Sequence, residues 1–190
     1  MANPSDEIDL QRSFQDIPPD KKSEAEQTNF LMDLAWHRGS NWDDLLRSKR
    51  ILIISEAGAG KSFECQTKAK ALWDAGEPAF YLELAGLART PLQYLLTTEQ
   101  CDRLDLWRGA QSDVAIFFLD SFDELQLTLG SFRKALTALE KAIAGKLGRV
   151  RIVITSRPTP IDEQLFRDIL PVPDETEEAP TGDSFADISM

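Results

Sequence analysis

The sequence has few of the residues that secreted, imidazole-dependent or membrane proteins need. Its 190 residues include two cysteines, Cys65 and Cys101, and one histidine, His37. Two cysteines are too few for the disulfide framework of a small secreted domain, and one histidine gives no support to a zinc site or a Ser-His-Asp triad. No apolar run approaches the roughly 20 residues of a membrane helix, and the acidic N-terminus is unlike a secretory signal. We therefore expect a cytoplasmic protein with no membrane contact.

Positive charge is also scarce. Lys and Arg number 21 against 32 Asp and Glu, which gives a net charge of −11 and argues against direct binding of nucleic acid. Residues 1–30, 31–170 and 171–190 carry net charges of −4, −1 and −6. Because the polar, proline-containing ends hold nearly all the acidity, they predict a flexible acidic arm over 1–29 and an acidic linker or disordered tail over 171–190. One packed domain is expected over 30–170.

Apolar runs and helical patterns alternate through that central region. Four runs are typical of strands buried on both faces, at 51–54, 79–84, 114–119 and 150–154. Helical patterns lie before and between them, at 30–46, 61–76, 91–109 in two pieces, 131–147 and 161–170. Asn41 or Ser40 is a candidate cap within the first of these patterns. The alternation predicts an α/β fold with a mainly parallel sheet covered by helices on both faces.

A phosphate-binding loop stands between the first strand and its helix. The sequence SEAGAGKS at 55–62 matches G-x-x-x-x-G-K-[ST] except that Ser55 replaces the first glycine. Glycines let backbone N–H groups close around phosphate oxygens, and the following helix adds its positive dipole. Lys61 would contact the phosphates and the Ser62 hydroxyl would bind Mg²⁺. The predicted nucleotide-binding residues are Ala57, Gly58, Ala59, Gly60, Lys61 and Ser62.

Acidic residues follow the third predicted strand, in the run FFLDSFDEL at 117–125. Asp120 would stand at the carboxyl edge of the sheet, where Mg²⁺ binds beside a phosphate loop. Asp123 and Glu124 would orient or deprotonate an attacking water. The alternative is structural: Asp120 caps a helix, and the other two carboxylates belong to a solvated face.

The fourth predicted strand ends in Thr155, Ser156 and Arg157, followed by proline. An arginine at this edge can contact a γ-phosphate and sense whether it is present, so these three residues are candidates for nucleotide sensing. A surface arginine in a turn is the alternative.

Together the three motifs resemble the NACHT group of STAND-class P-loop NTPases, over about residues 48–160. The resemblance implies a three-layer, ASCE-type sheet of about four to five strands, with the Asp120 strand beside the phosphate-loop strand and the Arg157 strand on its other side. It implies Mg²⁺ and a nucleotide, usually ATP, with GTP remaining open. By the same resemblance Asp120 binds Mg²⁺ through water, Asp123 and Glu124 support hydrolysis, and Arg157 is the sensor arginine.

Two functional hypotheses follow. The first is a hydrolytic switch that controls oligomerisation or effector activation in signalling such as antiviral defence, with protein partners or self-association through N-terminal or missing segments. The family's further strand and its helical, winged-helix and sensor domains are not recognised here, which indicates a piece of a larger protein or a minimal relative. The second is therefore a non-catalytic module that acts by protein–protein interaction. A small-molecule kinase is a weaker third, because the residues at 123–124 and 155–157 suit water activation and sensing better.

Overall fold

Strands and helices alternate along the chain in the predicted order. The computed structural model describes residues 15–16, 41–120, 129–143, 145–157, 163–172 and 185–189. The strands are β1 (Gln15–Asp16), β2 (Arg50–Ile54), β3 (Ala79–Glu83), β4 (Ala115–Asp120), β5 (Val150–Ser156) and β6 (Phe185–Ser189). The helices are α1 (Trp42–Leu45), α2 (Lys61–Asp74), α3 (Leu84–Leu87), α4 (Thr98–Gly109), α5 (Leu129–Ala142) and α6 (Glu163–Ile169). Short 3-10 helices occur at Leu92–Tyr94 and Leu147–Arg149.

The sheet has the order β1-β6-β2-β5-β4-β3. All its neighbouring pairs are parallel except β1 with β6. The predicted α/β class and mainly parallel sheet are confirmed, and all four predicted strands are present with ends shifted by at most two residues. Because all of these strands except β1 run in the same direction, the carboxyl ends of β2, β4 and β5 meet at one edge of the sheet.

The predicted order of the central strands is wrong. β2 pairs with β5, and β4 pairs with the other side of β5, so the strand that precedes Arg157 separates the phosphate-loop strand from the Asp120 strand. Ile154 is in register with Leu52 on one side and Leu119 on the other. Apolar strands of similar length have similar sequence patterns, so the sequence does not show which strands are neighbours. The strand order depends on pairing between segments far apart in the chain.

The acidic ends also contribute to the sheet. Phe185–Ser189 pairs in parallel with the edge of β2 that faces away from β5, and Gln15–Asp16 pairs with this added strand. The predicted tail over 171–190 and arm over 1–29 therefore do not hold for these seven residues. Pairing satisfies backbone N–H and C=O groups that an open edge would leave to solvent, and composition alone does not reveal it. Residues 1–14, 17–29, 173–184 and 190 lie outside the described residues.

Two apolar clusters cover the two faces of the sheet, and their residues alternate along each strand. One cluster lies under α1 and α2 and includes Ile51, Ile53, Phe118, Val153, Leu45, Cys65 and Ala69. The other lies under α3, α4, α5 and α6 and includes Leu52, Phe117, Leu119, Ile152, Leu104, Phe132, Leu136 and Leu165. The domain therefore has three layers, as predicted. Within the part of the chain that is described, no helix is both long and apolar enough to cross a membrane.

The helix limits follow local chemistry. Asn41 caps α1, and its Oδ1 accepts hydrogen bonds from the N–H groups of Asp43 at 2.9 Å and Asp44 at 3.0 Å, which confirms one of the two predicted caps. The helix predicted over 131–147 ends earlier, at Ala142, and Gly145 then turns the chain with φ 74°.

A buried arginine holds the amino edge of the sheet together. Arg50 is 1% exposed, and its guanidinium donates to the carbonyl oxygens of Leu170 and Pro171 at 2.9 Å, and of Lys49 and Val150 at 2.8 Å. A longer bond of 3.4 Å reaches the carbonyl of Leu147. Burial lowers the pKa of Arg50 to about 10, which leaves the guanidinium charged at neutral pH. This one side chain therefore joins the start of β5 to the end of α6.

Replacement of this arginine should destabilise the domain strongly. We expect Arg50→Met to lower the free energy of unfolding by about 3 kcal/mol, because several buried carbonyl oxygens lose their donor at once. Arg47→Met is the matched control, since the Arg47 side chain is 81% exposed, and it should cost less than about 0.5 kcal/mol. Urea unfolding measures both, and equal effects would show that the buried guanidinium contributes no specific stability.

Candidate functional site

The loop between β2 and α2 has the backbone conformation that phosphate binding requires. Gly58 and Gly60 are left-handed, with φ of 79° and 85°, a conformation that side chains disfavour. Ser55 stands at the position of the first glycine. It continues the pairing of β2 with β5, because its N–H donates to the carbonyl of Ser156 at 3.1 Å. Its hydroxyl oxygen is buried and has no hydrogen-bond partner among the described residues. The loop therefore keeps its attachment to β5 without a glycine at its start.

Lys61 and Ser62 begin the 14-residue helix α2. The Lys61 ammonium is largely buried and donates to the carbonyls of Ser55 at 2.7 Å and Glu56 at 3.0 Å. Ser62 is exposed in the same first turn. The ammonium, the helix N-terminus and the left-handed glycines thus concentrate positive charge and N–H donors at this loop.

Asp120 ends β4 and is held from both neighbouring strands. Its Oδ2 accepts a hydrogen bond of 2.6 Å from the Tyr81 hydroxyl on β3, and its Oδ1 accepts one from the Thr155 hydroxyl on β5. The carboxylate is 3% exposed. Burial, reinforced by the bond to Asp120, raises the pKa of Tyr81 well above its usual range. The phenol therefore stays protonated and keeps donating at neutral pH.

Sequence reasoning identified only part of this arrangement. It proposed Thr155 as a nucleotide sensor, whereas the structure places the Thr155 hydroxyl on Asp120. It missed Tyr81, which faces Phe118 in the β3–β4 register, two residues before the position opposite Asp120. A tyrosine in an apolar strand carries no signal by itself; only the register shows which carboxylate its hydroxyl can contact.

The pKa of the buried Cys65 thiol is affected by the charged groups near the loop. Burial raises the pKa of this thiol far above its ordinary value, the carboxylates of Asp120 and Glu64 raise it further, and the Lys61 ammonium opposes them. Lys61 begins the helix after the loop that follows β2, and Asp120 ends β4, so the loop cation and the strand carboxylate lie at the same edge of the sheet.

The structure gathers most of the predicted site residues at that edge. Loop residues 57–62 follow β2, Asp120 ends β4, and the exposed Arg157 follows β5. The Ser156 hydroxyl donates to the carbonyl of Arg157 at 2.9 Å. Asp123 and Glu124 lie outside the described residues.

The described residues contain no group of three or more His, Cys, Asp or Glu side chains that could hold a metal. The oxygen donors at the loop nevertheless suit Mg²⁺, which prefers hard oxygen ligands, keeps several waters and takes one or two protein carboxylates. Asp120 places a carboxylate at the carboxyl edge of the sheet, and the Ser62 hydroxyl lies in the first turn of α2. Asp120 and the Ser62 hydroxyl are thus compatible with a water-rich magnesium site. The chain has a three-layer α/β architecture with a glycine loop between β2 and α2.

Comparison with known proteins adds structural similarities. No protein-family model and no curated protein matches the chain. The crystal structure of the FIGL-1 AAA domain in complex with ADP is 16% identical, with a TM-score of 0.39, covering 75% of this chain and 44% of that one. The structure of C. elegans PCH-2 is 14% identical, with a TM-score of 0.41, covering 74% of this chain and 36% of that one. This chain thus spans less than half of either, and its fold assignment rests on the parallel sheet and loop geometry.

Loss of the Tyr81 hydroxyl should lower the stability of the domain, because its hydrogen bond to Asp120 is removed. We expect Tyr81→Phe to lower the free energy of unfolding by about 1–3 kcal/mol, because a buried carboxylate oxygen loses a donor. Tyr94→Phe is the control, since Tyr94 is 73% exposed, and should change stability by less than about 0.5 kcal/mol. Chemical denaturation at neutral pH checks both, and an effect of Tyr81→Phe no larger than the control would contradict the assigned bond.

Proposed function

We propose that the chain is the nucleotide-binding domain of a Mg²⁺-dependent NTPase that prefers ATP. The observation that carries this proposal is the loop at 55–62, where two left-handed glycines precede Lys61 at the start of α2. A strand, a glycine loop and a helix N-terminus with a lysine form the arrangement that binds nucleotide phosphates in P-loop proteins. GTP stays an alternative, because no described residue selects the base.

Each residue at the loop has a distinct task in this proposal. The N–H groups of residues 57–60 and the Lys61 ammonium bind the phosphate oxygens. The Ser62 hydroxyl would bind Mg²⁺, and Asp120, which Tyr81 and Thr155 orient, would hold it through water. When bound, the ion neutralises charge on the β- and γ-phosphates. Tyr81 and Thr155 act through Asp120 and are therefore positioning residues.

Hydrolysis requires a group that activates water. Asp123 and Glu124 follow the last residue of β4 by three and four positions, and we assign them to orienting or deprotonating the attacking water. Arg157 follows β5, which lies between β2 and β4. We assign it to contacting the γ-phosphate and sensing its loss, because a guanidinium makes bidentate bonds to phosphate oxygens.

The proposal extends to a signalling switch of the NACHT type. Its support is the occurrence of FFLDSFDEL and ITSRP together in one sequence, after the phosphate loop. We propose that nucleotide exchange and hydrolysis in the cytoplasm control oligomerisation or effector activation, as in antiviral defence. The partners would bind segments beyond the loop edge or further domains of a longer protein.

Removal of the loop cation should weaken nucleotide binding. We expect Lys61→Ala to weaken Mg–ATP binding by at least about tenfold, since one charge-assisted hydrogen bond is worth about 1.5–3 kcal/mol. Lys70→Ala, on the same helix with a side chain 74% exposed, should bind like wild type. Isothermal titration with ATP, ADP and GTP measures the affinities and the base preference. If the wild-type protein binds none of them, the chain is instead a non-catalytic interaction module.

A separate variant tests the hydrolytic step. Glu124→Gln removes a carboxylate that could accept a proton from water, so phosphate release should fall by about 10²-fold or more, while ATP affinity changes little. Asp123→Asn shows which of the two carboxylates matters more. Single-turnover phosphate release, combined with the binding titration, separates catalysis from affinity. Unchanged rates in both variants would refute the assignment of these carboxylates.

A further inference from the structure

A second concave surface lies away from the phosphate loop, between α4 and α5. This α4–α5 groove has a volume of about 1000 Å³ and is closed on its third side by residues 87–93. No residue of the loop at 55–62 lines it, nor does Asp120, Thr155 or Arg157. The groove is therefore separate from the candidate nucleotide site.

Basic side chains dominate the walls of the groove. Arg89, Arg133, Lys134 and Lys141 line it and are exposed, and none of the four forms an ion pair with a described residue. The acidic side chain in its lining, Asp105, is already paired with Arg108 at 2.7 Å. Four cations without an ion pair among the described residues thus face one cavity, in a protein of net charge −11.

These cations do not contribute to the packing of the domain. The buried side of α5 is apolar and contains Phe132, Leu136 and Leu139, whereas Arg133, Lys134 and Lys141 lie on its exposed side. Like charges grouped on one helix surface repel one another and contribute nothing to packing. An anionic partner bound between these cations would offset their mutual repulsion.

The dimensions of the groove suit a peptide better than a small anion. Arg133 and Lys141 are eight residues apart on a helix, which separates them by about 12 Å along its axis. Carboxylates four residues apart in an extended peptide are separated by a similar distance, about 13 Å. The groove also has accessible apolar lining from Ala88, Pro91 and Ala138.

We propose that the α4–α5 groove binds an acidic peptide segment of a partner protein, with carboxylates at its ends and apolar side chains between them. Charge complementarity is the main argument, because the groove lining holds five basic side chains and one acidic one. Nucleic acid is the less suitable partner, because a continuous phosphate backbone would leave the apolar lining uncovered.

The test uses a fluorescein-labelled peptide with two glutamate pairs flanking Val-Leu-Val, and the same peptide with Gln for Glu. Fluorescence anisotropy with the full chain at low salt should give a Kd of about 10–100 μM for the acidic peptide, consistent with a few screened ion pairs and a small apolar contact. Arg133→Glu/Lys134→Glu should weaken it by at least about tenfold, because attraction becomes repulsion. Arg89→Ser, on the opposite wall, should weaken it by a smaller factor.

A charge-matched double variant outside the groove, Arg47→Glu/Lys70→Glu, should bind the peptide within about twofold of wild type, since only distant screened charges change. Thermal unfolding checks that the groove variants stay folded. The proposal fails if both double variants lose affinity equally, if the Gln peptide binds as tightly as the acidic one, or if no binding occurs at about 1 mM peptide. Tighter binding of a ten-residue oligouridine than of the acidic peptide would also overturn it. Because binding at the groove needs no nucleotide, loss of ATP binding by Lys61→Ala leaves this result unaffected.

Discussion

The central position of β5 is the constraint on which the rest of the site depends. β5 pairs in parallel with β2 and with β4, so it sets how far the phosphate loop lies from Asp120. Its last residues bond in both directions, through the Ser156 carbonyl to the loop backbone and through the Thr155 hydroxyl to Asp120. A shift of β5 by one residue would reverse the faces of its side chains and break both connections.

The two edges of the sheet bury groups of opposite charge. Each group is held by a different class of hydrogen-bond partner. At the amino edge the Arg50 guanidinium is surrounded by backbone carbonyls that belong to strand and helix ends. At the carboxyl edge the Asp120 carboxylate accepts from two side-chain hydroxyls. Carbonyl partners fix the chain path, which suits a structural role. Hydroxyl partners orient the carboxylate at the edge where we propose that it holds a metal-bound water.

Much of the local structure was predictable because its physical cause is local. Continuous apolar runs are typical of strands buried on both faces, and four such runs became β2, β3, β4 and β5. The glycines of the loop were expected to free its backbone from side-chain constraints, and Gly58 and Gly60 adopt left-handed φ values. Asn41 was a predictable cap because its short side chain can accept the N–H groups of the next turn. In contrast, the acidic composition of residues 171–190 gave no sign that Phe185–Ser189 would pair with β2.

The sequence by itself determined the chemistry available to this protein: a phosphate loop with Lys61 and Ser62, a carboxylate after a buried strand, and an arginine after another. Tertiary structure alone decided that the Arg157 strand lies between the other two, that Tyr81 and Thr155 hold Asp120, and that Arg89 shares one groove with three cations of α5. The reason is physical. Residue type and short-range periodicity act within a few positions of the chain, whereas strand order, register and cavities arise from contacts between segments far apart in sequence.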